Sequence, residues 1–356
     1  MSSLPQRILP YIYYISTGVS ISANTLLIWL ILKKTNYAMR NYSHVLLQAA
    51  IADIMASIVY VVVQCQMEVA GGYAFIRSPT TWMNKLQGQY KCIQIALYGI
   101  AADTVAVSVP IQCIFRYYVI FKKKNLSMLT ILSIYSVCFL ITAFFGVFDW
   151  QAYEPISPNS EPAKILLSFE IWKNEPNVLE TFCAGKILSF GILSFIFCVS
   201  VVANVSLIVI IYTTRKVHRF LVQSASHLTA KTIDLQNQFS RMVFSQTILP
   251  VIASIIMMVI NITGVTLQNY EGGLYLFLFV IYSIISAINP ITTILCIKNY
   301  RDTVFCKQRR SVGSSYLNQS EHLPQSRVTR MTSHHISGHN PKNPLGLHLN
   351  KSNWKL

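Results

Sequence analysis

The chain has 356 residues, 53% of them hydrophobic and only 12% charged, with a mean hydropathy of +0.45. A soluble protein is roughly one-quarter charged, so the composition excludes an ordinary soluble globule and points to a chain that crosses a membrane repeatedly. The net charge of +16 does not imply a nucleic-acid partner, because the basic residues fall between apolar runs and in the tail, as membrane-flanking loops place them.

Read in chain order, seven apolar runs are long enough to span a bilayer: about 8–32, 44–66, 92–120, 129–148, 186–212, 239–265 and 273–297. Lipid offers no partner to an open backbone, so each is expected to be helical. The expected fold is an all-α membrane protein, a seven-transmembrane helix bundle. The opening, MSSLPQRILP, lacks the basic region, short apolar core and small-residue cleavage site of a signal peptide. Residues 1–7 are therefore read as a short exterior segment and the first span as an uncleaved anchor. Residues 8–306 form the bundle with a short juxtamembrane helix. Residues 307–356 are rich in Ser, His, Asn and Pro and are expected to be a disordered tail. Its histidines, among them His334, His335 and His339, match no metal-site spacing, and no metal is expected.

Lys and Arg set the orientation. One side carries Lys33, Lys34, Arg40, Lys122, Lys123, Lys124, Arg215, Lys216, Arg219, Lys231, Arg241, Lys298 and Arg301. The other has Arg7, Arg77, Lys85, Lys91, Lys164, Lys173 and Lys186, with a strongly acidic loop after the fourth run. The bias puts the N-terminus outside and the C-terminus in the cytosol. The sequons beginning at Asn41, Asn125, Asn204, Asn261 and Asn318 then avoid every outside loop, and no N-glycan is expected.

Polar residues inside membrane spans are costly and therefore informative. Asn24, Asp53 and Asn289 lie in the first, second and seventh runs and are expected to converge on a polar core, either a water- or sodium-occupied switch or a structural hydrogen-bond cluster. Asp103, deep in the third run, has two readings: a floor for a ligand amine, or a carboxyl hydrogen-bonded to a neighbouring helix. The third run ends Phe115-Arg116-Tyr117-Tyr118. Arg116 either snorkels or holds the helix ends shut and swings onto a partner when they open. Pro110, Pro250 and Pro290 each permit a bend, and Gln246 sits one turn before Pro250, within reach of freed backbone groups. Cys92 and Cys183 face the oxidising side and are read as a disulfide, with Cys65 as the competing partner. Tyr300, Val304 and Phe305 share a face of a short amphipathic helix on the membrane, and Cys306 beside it is a candidate for palmitoylation. No catalytic constellation is present, so neither an enzyme nor a cofactor is expected. The seventh run has no lysine to carry a retinal Schiff base.

The ordered set Asn24, Asp53, Cys92, Arg116, Pro250 and Asn289-Pro290 resembles a G-protein-coupled receptor. FRYYVI at 115–120, QTILP at 246–250 and NPITTILCIKNYR at 289–301 resemble the nematode serpentine chemoreceptors of the Str superfamily, most closely class delta, over residues 8–306. The pattern departs from rhodopsin-like receptors in three places. Phe115 stands where an acid usually precedes the arginine, Thr293 stands where a tyrosine follows Asn-Pro, and no tryptophan precedes Pro250. The resemblance implies a chemosensory receptor in the plasma membrane of ciliated sensory neurons. It would bind a small environmental molecule and signal to a heterotrimeric G protein through a switch of Arg116, Tyr117, Gln246, Pro250, Asn289 and Pro290. Depth in the bundle nominates Gln94, Tyr98, Asp103, Tyr275 and Tyr282 for the ligand pocket. The rival readings are a transporter, for which no repeat is found, and a seven-span ligand-gated channel of inverted topology, which the charge bias opposes.

Overall fold

The computed structural model describes residues 4–35, 39–122, 127–173, 177–223, 230–266, 276 and 278–306. The chain divides into a unit Met1–Lys307 and a second, Gln308–Leu356, that lies outside the described residues. The first unit is built on seven long helices: α1 Leu4–Lys34, α2 Arg40–Val63, α3 Gln94–Tyr117, α4 Met128–Gln151, α5 Phe190–Gln223, α6 Ala230–Thr266 and α7 Leu278–Cys296, followed by the short α8 Lys298–Val304. Among the described residues, six of these helices are long and apolar enough to cross a membrane, and the apolar run 239–265 lies within α6. At about 1.5 Å per residue, the 34 residues of α5 and the 37 of α6 exceed a hydrocarbon core of about 30 Å. Both run well beyond the apolar stretches that mark them in the sequence, because a helix continues into water wherever its own hydrogen bonds and polar side chains allow.

α3 is the most enclosed helix, packed against α2, α4 and α5, while α4 and α5 form the rim. α1 packs between α2 and α7, and α7 also lies on α6. Two apolar cores result. One gathers Leu9, Tyr13, Tyr60 and Tyr98 near the loops after α2 and α4; the other gathers Leu30, Met39, Val109, Phe115, Met242 and Tyr300 at the opposite end.

The loop end carries an element that the helical reading passed over. α2 stops at Val63, because Gln64 takes a left-handed conformation (φ 47°) and its N–H returns to the Tyr60 carbonyl. Strands β1 Gln66–Ala70 and β2 Tyr73–Arg77 then form a hairpin. Its two-residue loop is Gly71-Gly72, with φ of +54° and +79°; a turn that needs positive φ at both central positions favours glycine there. β2 pairs with β4 Phe182–Lys186, which pairs with the two-residue β3 Glu154–Pro155, giving a four-stranded antiparallel lid in the order β1-β2-β4-β3. Cys183 of β4 is joined to Cys92 at the head of α3, with Cα atoms 5.8 Å apart. Cys65 is buried and unbridged, and burial pushes its thiol well above the ordinary cysteine range.

Candidate functional site

Proline at position 290 has no N–H to give to the carbonyl of Ser286, four residues earlier. In this bundle the orphaned acceptor is met from another helix: Ser20 Oγ of α1 donates to the Ser286 carbonyl at 3.0 Å. Ser57 Oγ of α2 lies 2.7 Å from Ser20 Oγ and 2.7 Å from the Asp53 carbonyl. Asn24 Nδ2 donates to the Ser20 carbonyl at 3.0 Å and sits 3.3 Å from its hydroxyl. Asn289 Nδ2 donates to Asp53 Oδ1 at 3.3 Å.

The polar core therefore has a different wiring from the expected triad. Asn289 meets Asp53 directly. Asn24 touches neither and joins them only through Ser20 and Ser57, because its amide faces its own helix one turn back. Ser20, Ser57 and Ser286 are members that the sequence reading omitted. A signal for them is present: Ser16, Ser20 and Asn24 are spaced by four, as are Asp53 and Ser57, which puts each set on one helical face.

Gln246 also departs from expectation. Its amide leaves its own helix and crosses to α7, donating toward Thr293 Oγ1 at 3.0 Å and the Asn289 carbonyl at 3.3 Å. Thr292 and Thr293 hydroxyls reach the same carbonyl at 2.8 and 2.9 Å. Thr293 thus holds α6 to α7 by a short hydroxyl bridge where rhodopsin-like receptors carry a tyrosine. Pro250, inside α6, is half-buried. Asn24 Oδ1, Asn289 Oδ1 and Gln246 Oε1 are buried without a protein partner, and such atoms are where ordered water belongs.

Arg116, at the far end of α3, is only 4% exposed. It does not snorkel. Its Nε donates to Gln236 Oε1 at 2.9 Å and its Nη2 to the Gln236 carbonyl at 2.8 Å. Gln236 in turn donates from Nε2 to the Tyr42 hydroxyl at 3.1 Å. The Tyr42 ring packs on Phe239 at 4.5 Å and edge-on to Phe115 at 5.9 Å. The latch joins α2, α3 and α6 and holds the guanidinium by neutral acceptors. Phe115 is buried in the apolar core of this end and packs edge-on to Tyr42. Gln236 is not singled out by sequence, since a Gln in the polar start of a helix, with Gln238 beside it, has many readings; Asn41-Tyr42-Ser43 fits the Str resemblance, but nothing in it gives Tyr42 a role in the latch. Tyr117 lies outside the latch and stacks on Phe121 at 4.6 Å.

The same end is tied further. Lys298 N–H donates to Gln238 Oε1 at 2.9 Å, and the Tyr300 hydroxyl lies 2.8 Å from Thr35 Oγ1. Tyr300 is fully buried, whereas Val304 and Phe305 are exposed. The expected amphipathic face is thereby corrected: Tyr300 plugs α8 into the bundle, because its hydroxyl finds a partner there, and only Val304 and Phe305 project outward. Cys306, just past α8, is exposed.

Of the proposed pocket residues, Tyr98 and Tyr282 lie together beside the first apolar core, and Asp103 faces another helix. Gln94 and Tyr98 are buried, with the Tyr98 ring tilted against Tyr60 at 4.6 Å and edge-on to Phe279 at 4.8 Å and its hydroxyl given to the Phe279 carbonyl. Asp103 faces α4 beside Tyr135 and Thr142. At about 100° per residue, Asp103 is turned roughly 140° from Tyr98 around α3, so equal depth does not give a common face. Tyr282 is half-buried beside the first apolar core. Tyr275 lies outside the described residues.

The sequence profile of the serpentine-type seven-transmembrane G-protein-coupled chemoreceptors Str matches residues 9–305. Squid rhodopsin is among the solved structures of similar fold, with a TM-score of 0.53 and 13% identity over 85% of this chain and 81% of that one. At that identity the likeness is one of fold. No curated protein sequence matches the chain.

Proposed function

Since this chain belongs to the Str family of serpentine seven-transmembrane chemoreceptors, we propose that it detects a small environmental molecule from the lid end and couples to a heterotrimeric G protein at the Arg116 end. The N-terminus and lid lie outside the cell, and residues 307–356 form a cytosolic tail. The receptor sits in the plasma membrane of ciliated sensory neurons and is of class delta. The observation that carries the reading is the Arg116–Gln236–Tyr42 latch. It spans three helices at the end where the Lys and Arg residues gather. A buried guanidinium held by neutral acceptors is a closed state that a modest differential affinity can open.

A ligand that favours the open state draws the inner end of α6 away from α3. The Gln246–Thr293 bridge and the Pro250 and Pro290 breaks let α6 and α7 move relative to each other, and Arg116 is released to a partner. Asn24, Asp53 and Asn289 form the polar hinge between the two ends. The test is signalling by Arg116→Ala at matched surface expression, with a ligand panel applied to wild type. Full second-messenger output from Arg116→Ala would overturn the coupling role.

A further inference from the structure

α5 presents two opposite faces. Val199, Val202, Ser206 and Val209 recur at helical spacing and are half-buried on the side that packs against α3 and α4. Asn204 is exposed. At about 100° per residue it is turned roughly 160° from Val202 and from Ser206, away from the bundle. It lies in the apolar run 186–212, close to the middle of that run, so lipid tails surround it. A carboxamide in hydrocarbon is costly until its donors and acceptor are met. One N–H of Asn204 returns to the Ser200 carbonyl at 2.7 Å. Its second N–H and its Oδ1 have no partner among the described residues.

The side chains around the amide follow a pattern of their own. Phe197, Val201, Asn204, Ile208 and Ile211 are spaced four, three, four and three residues apart. That is the 3.5-residue repeat by which two helices interlock along a seam. The four apolar members are 68, 43, 65 and 42% exposed. Contact with fluid lipid asks for apolar side chains but for no repeat and no amide. A single asparagine within such a seam sets register and partner number.

The chemistry of the amide selects the occupant. A carboxamide is both donor and acceptor, so another carboxamide complements it. Two copies of one polytopic chain share their orientation in the membrane. A two-fold axis along the membrane normal then sets their α5 helices side by side and parallel, with both amides at one depth and both seams in step. We infer that the outer face of α5 is the interface of a receptor homodimer, in which each Asn204 donates its free N–H to Oδ1 of the other across the two-fold axis. The interface is independent of lid-end ligand entry and of G-protein coupling.

The full-length receptor, carrying one fluorophore per chain, is reconstituted in phosphatidylcholine vesicles over a range of protein-to-lipid ratios, and photobleaching steps give the dimer fraction. Wild type should dimerise. Asn204→Val should raise the dimer dissociation constant roughly tenfold, since two interhelical hydrogen bonds are lost at about threefold each. Asn204→Gln keeps an amide and should recover most of that loss. Oxidative cross-linking in a Cys306→Ser background reads the contact separately. Ile208→Cys should join two chains, and Leu140→Cys, at a position 65% exposed on α4, should not. Wild type monomeric at every ratio, a dissociation constant unmoved by Asn204→Val, or Leu140→Cys linking as readily as Ile208→Cys would each overturn the interface. A lower melting temperature of monomeric Asn204→Val with unchanged association would assign the amide to a bond within its own chain and overturn it as well.

Discussion

In the proposed switch, Arg116 is held by two hydrogen bonds of different kinds. Its Nε reaches a side-chain amide oxygen, and its Nη2 reaches a backbone carbonyl that no substitution at 236 removes. Gln236→Ala therefore cuts one bond to a charged donor and leaves the other. Such a bond is worth about 1.5 kcal/mol at the low end, or roughly a tenfold shift of the closed–open equilibrium. Basal second-messenger output per surface receptor should rise by up to that factor, with little change in maximal output. A basal level equal to wild type would show that the latch does not hold the resting state. Cysteine chemistry gives a second reading at this scale. Cys65 is buried with its thiol pushed upward by desolvation, so it stays protonated and unreactive at neutral pH. Cys306 is exposed. Maleimide applied to the folded, detergent-solubilised receptor should modify Cys306 and spare Cys65, and intact-protein mass with peptide mapping reads the outcome.

At the scale of the element, α7 is defined by the carbonyl that Pro290 releases and Ser20 recovers. This pairing makes a coupled prediction. Ser20→Ala leaves a buried carbonyl unsatisfied and should cost about 1–3 kcal/mol. Pro290→Ala restores the N–H, so the Ser286 carbonyl bonds within α7 and Ser20→Ala becomes cheaper. Melting temperatures of the four receptors in one detergent measure the cycle; additive losses would mean that Ser20 does not serve the proline break. The element scale is also where the sequence was most and least legible. The long helices were plain, because apolar runs in a bilayer allow only one backbone solution. Asn289 and Asp53 were legible because a polar residue in such a run is rare. Their connection through Ser20, Ser57 and Ser286 was harder to read, since serine is common in membrane helices and only its four-residue spacing betrays a shared face. The pocket residues were only partly legible for a related reason: depth is set by chain position, but the direction in which Tyr98 and Asp103 point is set by the rotation of α3 against its neighbours. The lid sheet was hidden because strands of five residues beside a membrane helix look like the fraying end of that helix, and Gly71-Gly72 was its one strong mark.

For the whole bundle, the lid and the latch occupy opposite ends of α3, and the Cys92–Cys183 bridge fixes the lid to the end of that helix away from Arg116. β2 and β4 are paired along five residues, with Ile76 opposite Cys183, so the bridge positions the whole sheet and not β4 alone. The register puts Gln66, Arg77 and Phe182 on one face of the sheet and Met67, Ile76 and Cys183 on the other. The first face is closed by Trp172, which packs 5.0 Å from Phe182 and under the Arg77 guanidinium at 4.3 Å. Arg77 Nε donates to Gln66 Oε1 at 2.7 Å. The sheet thus carries its own small buried layer on the side away from the disulfide. Cutting the bridge by Cys183→Ala should release the sheet from α3 while leaving these strand pairs and the Trp172 layer formed. The expected result is a receptor that folds in its membrane part, loses about 2–5 kcal/mol of stability, and shows faster amide exchange at residues 66–77 and 182–186 than at the Arg116 end. Hydrogen exchange on the nanodisc-embedded protein makes the comparison directly. If exchange rose equally at residues 112–116 and 236–243, the lid and the latch would be one cooperative unit, and a ligand contacting the lid would need no further element to reach the latch.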